Sequence, residues 1–368
     1  MKCIISLSFL IFLLISCNHD HTDTYYSSDF TNKYNLVPID TLLVVFNDDV
    51  IIGRSRLFHT WNNNILISDR EFYTLWILDN ELNYIDNIGK SGEGPGEFTD
   101  SPIPLVNGDS LWLIDYKTQR AYLYDGNRQL LDSALLPPDL YYTSSPPVTI
   151  GNHYIVSAGG PFPQSDPQYY RKYNSLFVLD NTFNTTDNIL EWDDIYLESD
   201  YEAFAYSNFI TDVAKGSGST FYAQQRATYI IHHINNEFDI IKSFGRQPEY
   251  YQPPKRGISF RETQQSLENF YEFVSGTTHF YGIDYDSTSN LLFSRYSNLT
   301  HEGLVNRNPY LHDTFLQIYD DNYNCIFDGP IDGRFALAEN GKIYILNKET
   351  PEYLKFIVFK VTNRKSQR

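Results

Sequence analysis

The chain has 368 residues, with 28 Lys and Arg against 46 Asp and Glu, giving a formal charge of −18 and no compensating basic block. That balance excludes nucleic acid and an anionic lipid surface as partners, because both demand concentrated positive charge. Thirty Tyr and 25 Phe beside a single Met favour β structure over helix and leave no methionine-rich adaptable surface.

At the N-terminus, Lys2 precedes an apolar run from Ile4 to Ile15 broken only by Ser6 and Ser8. This is the layout of a secretory signal, too short to span a bilayer comfortably. The run ends Leu14-Ile15-Ser16-Cys17, which resembles the bacterial lipobox. The resemblance implies removal of residues 1–16, lipidation of Cys17 and an outer-membrane address, with the lipid as the only membrane contact. Residues 17–35 then read as the lipidated cysteine and a flexible polar tether, and residues 36–368 as the folded domain. With Cys3 in the signal and Cys17 taken by lipid, Cys325 is the remaining thiol, so no intramolecular disulfide is expected. The fold must rest on a large core instead. Cys325, inside Tyr323-Asn324-Cys325-Ile326-Phe327, reads as a buried strand residue.

Further along, a turn cluster followed by a short apolar strand occurs six times: 62–67, 107–114, 151–156, 216–223, 287–293 and 340–346. Five of these are followed by a second strand that runs into Asp or Asn and then into another: Asp79, Asp125, Asp180, Asn235 and Asp320. The intervals are 46, 55, 55 and 85 residues. The sixth unit has only the strand around 356–361. Six units of four short antiparallel strands predict an all-β, six-bladed β-propeller of four-stranded antiparallel blades. The last unit lacks an outer strand, and Thr41 to Ile52 is expected to supply it and close the ring. A β-sandwich and a seven-bladed ring are the rival architectures.

Between the first two units, Ile88-Gly89-Lys90-Ser91-Gly92-Glu93-Gly94-Pro95-Gly96-Glu97-Phe98 resembles the inter-blade segment of the TolB-like and NHL-like six-bladed propeller lipoproteins common in Bacteroidetes. Ser243 to Tyr250 resembles a worn copy of it. The resemblance implies fold and envelope location more than activity. The same segment is not a P-loop, which needs glycine where Tyr84 stands, nor a dinucleotide loop, since no βαβ unit surrounds it. Its glycines supply positive φ and Pro95 stiffens the turn.

In a propeller the long insertions at 97–109, 137–148, 158–174, 192–208, 246–275 and 295–313 all fall on one face, which marks that face as the working surface. They carry many tyrosines, Tyr169, Tyr170, Tyr250 and Tyr251 among them, which offer flat apolar area with a polar tip for a glycan or peptide; packing of the loops onto the disc is the plainer role. A cation recurs just after the second strands of five of the six blades, at Arg70, Lys117, Arg226, Arg295 and Lys348. Ringed about the central mouth, these would bind uronate, sulfate or carboxylate groups; otherwise they pair with acids such as Asp69 and Asp115.

No metal-binding histidine pair, Cys/His cluster or G-x-S-x-G elbow occurs, and adjacent His232 and His233 point to opposite faces of a strand. Asp69, Asp115, Asn208, Asp212, Asp284 and Asn347 stand where a central Ca²⁺ would draw its ligands, although Asp at strand ends ordinarily caps turns. The expected function is non-catalytic binding of a glycan, peptide or envelope protein on the loop-rich face, with no cofactor. The alternative is a Ca²⁺-dependent hydrolase or lyase acting at the central mouth.

Overall fold

The computed structural model describes residues 26–31, 34–47, 50–161 and 168–363, so the leader and Cys17 lie outside the described residues. After β1 (Tyr26–Ser27) and β2 (Tyr34–Val45), the first blade holds β3 (Ser55–Trp61), β4 (Asn64–Asp69), β5 (Leu75–Leu78) and β6 (Tyr84–Ile88). The second holds β7 (Ile103–Asn107), β8 (Ser110–Asp115), β9 (Arg120–Tyr124) and β10 (Leu130–Leu135). Short β11 (Tyr141–Tyr142) pairs with the end of β13 in the third blade, which is β12 (Val148–Ile150), β13 (His153–Gly159), β14 (Leu176–Asp180) and β15 (Thr185–Ile189). The fourth comprises β16 (Thr211–Lys215), β17 (Phe221–Gln225), β18 (Ile231–Ile234) and β19 (Ile240–Gly245), with β1 added in parallel at its edge. The fifth comprises β20 (Thr278–Asp286), β21 (Leu291–Asn298), β22 (Asp313–Tyr319) and β23 (Cys325–Pro330). The sixth is β24 (Arg334–Glu339), β25 (Lys342–Glu349) and β26 (Tyr353–Asn363), with β2 paired antiparallel outside β26.

The first strands β3, β7, β12, β16, β20 and β24 touch in succession and β24 returns to β3, so they circle one axis. The protein is therefore an all-β, six-bladed propeller of four-stranded antiparallel blades. The strand beside β26 spans Tyr34–Val45 rather than the expected 41–52. Part of the stretch read as a tether is also laid on the disc, with Tyr26 opposite Phe244 and Phe30 bridged to Cys325. Aromatic residues explain this attachment, since Lys242 lies over Tyr26 and Arg246 over Phe30.

The repeated Asp or Asn after each third strand has a local cause. Asp79, Asp125, Asp180, Asn235 and Asp320 each accept from the N–H groups two and four residues on, at 2.8–3.0 Å. Each turn then places its fourth residue at positive φ: Leu82, Arg128, Phe183, Phe238 and Tyr323. In Leu82 and Phe183 that residue is also buried between blades. Phe183 meets Trp112 edge-on at 5.0 Å, while Trp112 Nε1 donates to the Tyr154 hydroxyl at 3.1 Å. Burial of one such side chain is worth about 1.5–3 kcal/mol, which outweighs the roughly 1–2 kcal/mol cost of the left-handed backbone.

The glycine-rich connector between the first two blades folds as a compact plug. Gly89 and Gly96 have φ of +86° and +73°, Glu97 accepts from Gly94 N–H at 2.9 Å, and Lys90 pairs with Glu97 at 3.1 Å. Its purpose is Phe98, fully buried and edge-on to Tyr122 at 5.5 Å. Cys325 is buried and free, and burial pushes its thiol well above the ordinary range, so it packs rather than reacts.

Candidate functional site

Among the described residues the long connections leave one face of the disc: 89–102, 136–147, 168–175, 190–210, 246–277 and 299–312. The helices α1 (Tyr169–Lys172), α2 (Glu202–Ser207), α3 (Phe260–Thr263), α4 (Leu267–Val274) and α5 (His301–Val305) lie within them. Polar residues at the ends of second strands hold these connections in place. Asp69 accepts from Gly53, Glu71 and Phe72 N–H and from Trp76 Nε1 at 2.8–3.2 Å. Asp115 accepts from Thr99, Lys117 and Thr118 N–H at 2.7–3.1 Å. Gln225, Asn298 and Glu349 hold Asp193 N–H, the Tyr250 carbonyl and Ser55 N–H in the same manner.

At the axis this face opens into a cavity of about 370 Å³. Three guanidinium groups line it. Arg226, just past β17, is clamped by Asp212 of β16, Nε to Oδ2 at 2.7 Å and Nη2 to Oδ1 at 2.9 Å, and lies over the Tyr281 ring. The pair is largely buried, the two side chains being 16 % and 6 % exposed. Arg295 of β21 donates Nε to the Tyr281 carbonyl and Nη1 to the Phe335 carbonyl, the latter at 3.0 Å. Burial pulls its guanidinium down to about 10; Asp212 opposes that pull while Arg226 and Arg334 reinforce it. Arg334, at the start of β24, donates to the Ser55 carbonyl at 3.2 Å and to Ser55 Oγ at 2.6 Å. Ser55 is fixed in turn by Glu349 at 2.8 Å.

Among the described residues lining this cavity Asp212 is the only carboxylate, and burial lowers the proton affinity of His312 against the opposing charge of Asp313. Three Arg and one Asp give the mouth a charge of +2 within a chain of −18. A second axial cavity, also about 370 Å³, opens on the opposite face; Leu57, Pro146, Asp212, Arg295 and Phe335 line both and form the waist between them.

Of the five cations expected near the mouth, the structure brings together Arg226 and Arg295. The five do not share a register, since Arg295 and Lys348 lie within β21 and β25 while Arg70 and Lys117 follow β4 and β8. Arg70, Lys117 and Lys348 are exposed and line neither axial cavity, so they do not ring the axis. Tyr169 is buried and Tyr170 nearly so, packed with Trp192 and Tyr196 at 4.6–5.4 Å in the core of the decorated face. Tyr250 is partly exposed and stacks on Phe315 at 4.8 Å; Tyr251 meets Tyr229 edge-on. Arg334 opens a first strand and so stands apart from the cations that recur near the second strands; its local signal is the preceding Gly333, at φ +128°.

The candidate calcium ligands are each engaged separately. Asp69 and Asp115 hold backbone, Asn208 bonds His279 and the Phe204 carbonyl, Asp212 holds Arg226, Asp284 accepts from Ala338 N–H, and Asn347 bonds Asp332. Among the described residues, no three His, Cys, Asp or Glu side chains are grouped to hold one metal ion. His232 and His233 do point apart, to Ser243 and to Tyr323. No helix among the described residues is long and apolar enough to cross a membrane.

Comparison with known proteins agrees with this architecture. Residues 15–140 match the DUF5128 family, described as a 6-bladed beta-propeller. No curated protein matches the chain in sequence. A solved member of the DUF4221 family from Bacteroides vulgatus superposes with a TM-score of 0.66 at 13 % identity, covering 90 % of this chain and 99 % of its own. A Bacteroides fragilis protein described as exported does so with a TM-score of 0.60 at 13 % identity, covering 92 % and 99 %. At that identity the likeness is one of fold.

Proposed function

We propose that this chain is a lipid-anchored envelope propeller of the TolB-like or NHL-like kind that binds, without catalysis, an anionic group of a glycan, peptide or envelope protein at the mouth of its loop-rich face. The observation that carries this reading is the convergence of Arg226, Arg295 and Arg334 on one cavity with a single carboxylate among them. Guanidinium groups held by backbone carbonyls and by a bidentate acid are pre-oriented, so an incoming anion meets fixed donors and pays little side-chain entropy. His312, the one histidine lining the cavity, accepts from Thr300 N–H at 3.1 Å, which occupies its Nδ1 structurally.

A thermal-shift series on the purified chain tests the reading, because a ligand that binds only the folded state raises Tm. Carboxylate and sulfate ligands are expected to raise Tm, their neutral counterparts not, and Arg295→Gln to abolish the response. A rise with Ca²⁺ that EDTA reverses, and none with anions, would favour a calcium-dependent hydrolase or lyase instead. Anchoring is tested separately: Cys17→Ala is expected to move the protein out of the membrane fraction, and retention there would refute lipidation at Cys17.

A further inference from the structure

We infer that the mouth selects a carboxylate carried on an apolar body over a polar carboxylate such as a uronate. This rests on the anion-binding reading above and adds the chemical class of the ligand.

More of the cavity's lining surface is apolar than polar, although Ser144, Ser297, His312 and Thr314 also contribute to it. Arg295 stands at the waist and Arg226 lines the mouth beside it, and among the described residues Arg226 Nη1 and Arg295 Nη2 make no hydrogen bond. The outer wall is formed by Leu299, Leu304 and Pro309 of the 299–312 connection, facing Phe315 and Ile331. None of those five side chains offers a donor or acceptor. A carboxylate seated on the arginines therefore projects its substituent into apolar surroundings. A uronate would lay ring hydroxyls against these five side chains at a desolvation cost that Ser144, Ser297 and His312 offset only in part, whereas an alkyl chain or a branched aliphatic side chain gains by leaving water.

Several of the tyrosines of the decorated face are committed to its core. Tyr169, Tyr196 and Tyr201 are buried in the core of the decorated face with Trp192 and Phe204, so no stacking platform is presented by that cluster. The cavity, about 370 Å³, lies at the lower end of the roughly 300–1,000 Å³ typical of small-molecule sites. It fits one substituent of moderate length and not a chain of sugars. Two sources present this chemistry: a free medium-chain fatty acid, or a peptide C-terminus with a branched aliphatic last residue.

Isothermal titration calorimetry of the full chain with acetate, butyrate, hexanoate and octanoate, with N-acetyl-Gly-Leu, and with glucuronate tests the inference. Affinity is expected to rise about fourfold per buried methylene until the cavity is filled. Octanoate or the dipeptide, whichever is the natural kind, is expected to bind at least tenfold more tightly than glucuronate, and which of them wins identifies the source. Leu304→Asn, on the short α5 outside the blades, is expected to flatten the alkyl series, with an unchanged far-ultraviolet spectrum showing that the fold is kept. Glucuronate binding as tightly as octanoate and the dipeptide would overturn the inference and leave the anion site standing. Failure of every carboxylate to bind would overturn both.

Discussion

Replacing Asp212 by Asn should move stability and affinity in opposite directions. Its carboxylate receives two hydrogen bonds from Arg226, at 2.7 and 2.9 Å, in a pair that is nearly buried. Removing one partner of a buried ion pair costs about 3–5 kcal/mol, and the low end applies because Arg226 keeps 16 % exposure toward the mouth. With an unfolding entropy of about 2.1 cal/mol/K per residue over roughly 340 residues, a loss of about 3 kcal/mol lowers Tm by about 4 °C. The same change removes the one negative charge from the cavity lining. At an effective dielectric of about 20, a charge about 8 Å from a bound anion is worth about 2 kcal/mol, or roughly 30-fold in affinity. Differential scanning calorimetry and titration with hexanoate at low and high salt measure the two effects. The affinity gain should shrink as salt rises. A variant that loses affinity together with stability would refute the reasoning, since Asp212 would then be part of the ligand's own binding set and not a counter-charge.

Three further substitutions test the scaffold. Gly245→Ala should destabilise by more than about 2 kcal/mol, because φ is +148° and an added Cβ would stand 2.3 Å from the Tyr229 carbonyl oxygen; a neutral effect in urea denaturation would show that the connection relaxes freely. Phe98→Ala should cost about 3–5 kcal/mol by opening a void between the first two blades, and a loss below about 1 kcal/mol would mean that the connector collapses into the space. Asp284→Asn should stabilise the protein more at pH 7.5 than at pH 4. Burial raises the Asp284 carboxyl to about 6, against the opposing N–H groups of Ala338 and Tyr285. A raised value in the folded state favours the neutral acid there, so its contribution is full below the ordinary carboxylate range and is lost as pH rises through about 6. Equal effects of the substitution at the two pH values would contradict that assignment.

The blade pattern was legible because each hairpin carries its own local chemistry. Asn62-Asn63 and Asn340-Gly341 adopt positive φ at both positions, as tight hairpins require. The Asp or Asn after each third strand writes the second turn just as plainly. The position of β2 was less legible: the apolar residues of 41–52 point to a strand, but the register with β26 begins at Tyr34 opposite Asn363, in a stretch holding Pro38 and Asp40 where composition argues for a loop. A register shift between Pro38 and Asp40 accommodates the proline at this edge. The mouth was legible only in part. Arg226 and Arg295 stand out in the sequence only as members of the recurring set of cations, which does not separate them from exposed Arg70 and Lys117.

The separation comes from the neighbouring strand. Arg226 turns to the axis because β16 pairs beside it and offers Asp212, whose partner across the ladder is Gln224. Arg70 and Lys117 follow second strands whose acids, Asp69 and Asp115, are already consumed by backbone N–H groups of the adjoining connections. The residue that ends a second strand thus serves as a cap in the first two blades, leaving the following cation to solvent. In the fourth blade the cap is neutral Gln225, which bonds Asp193 N–H and the Glu191 carbonyl, and the free acid sits on the first strand instead. That exchange of Asp for Gln turns a repeated structural joint into a buried ion pair at the axis. Gln225→Asp should therefore place a second acid beside Arg226. If the cap argument holds, that acid stays bound to Asp193 N–H and anion affinity falls by less than tenfold. If instead Arg226 swings from Asp212 to the new carboxylate, affinity is lost more steeply and the location of the acid, not the geometry of the blade, sets the site.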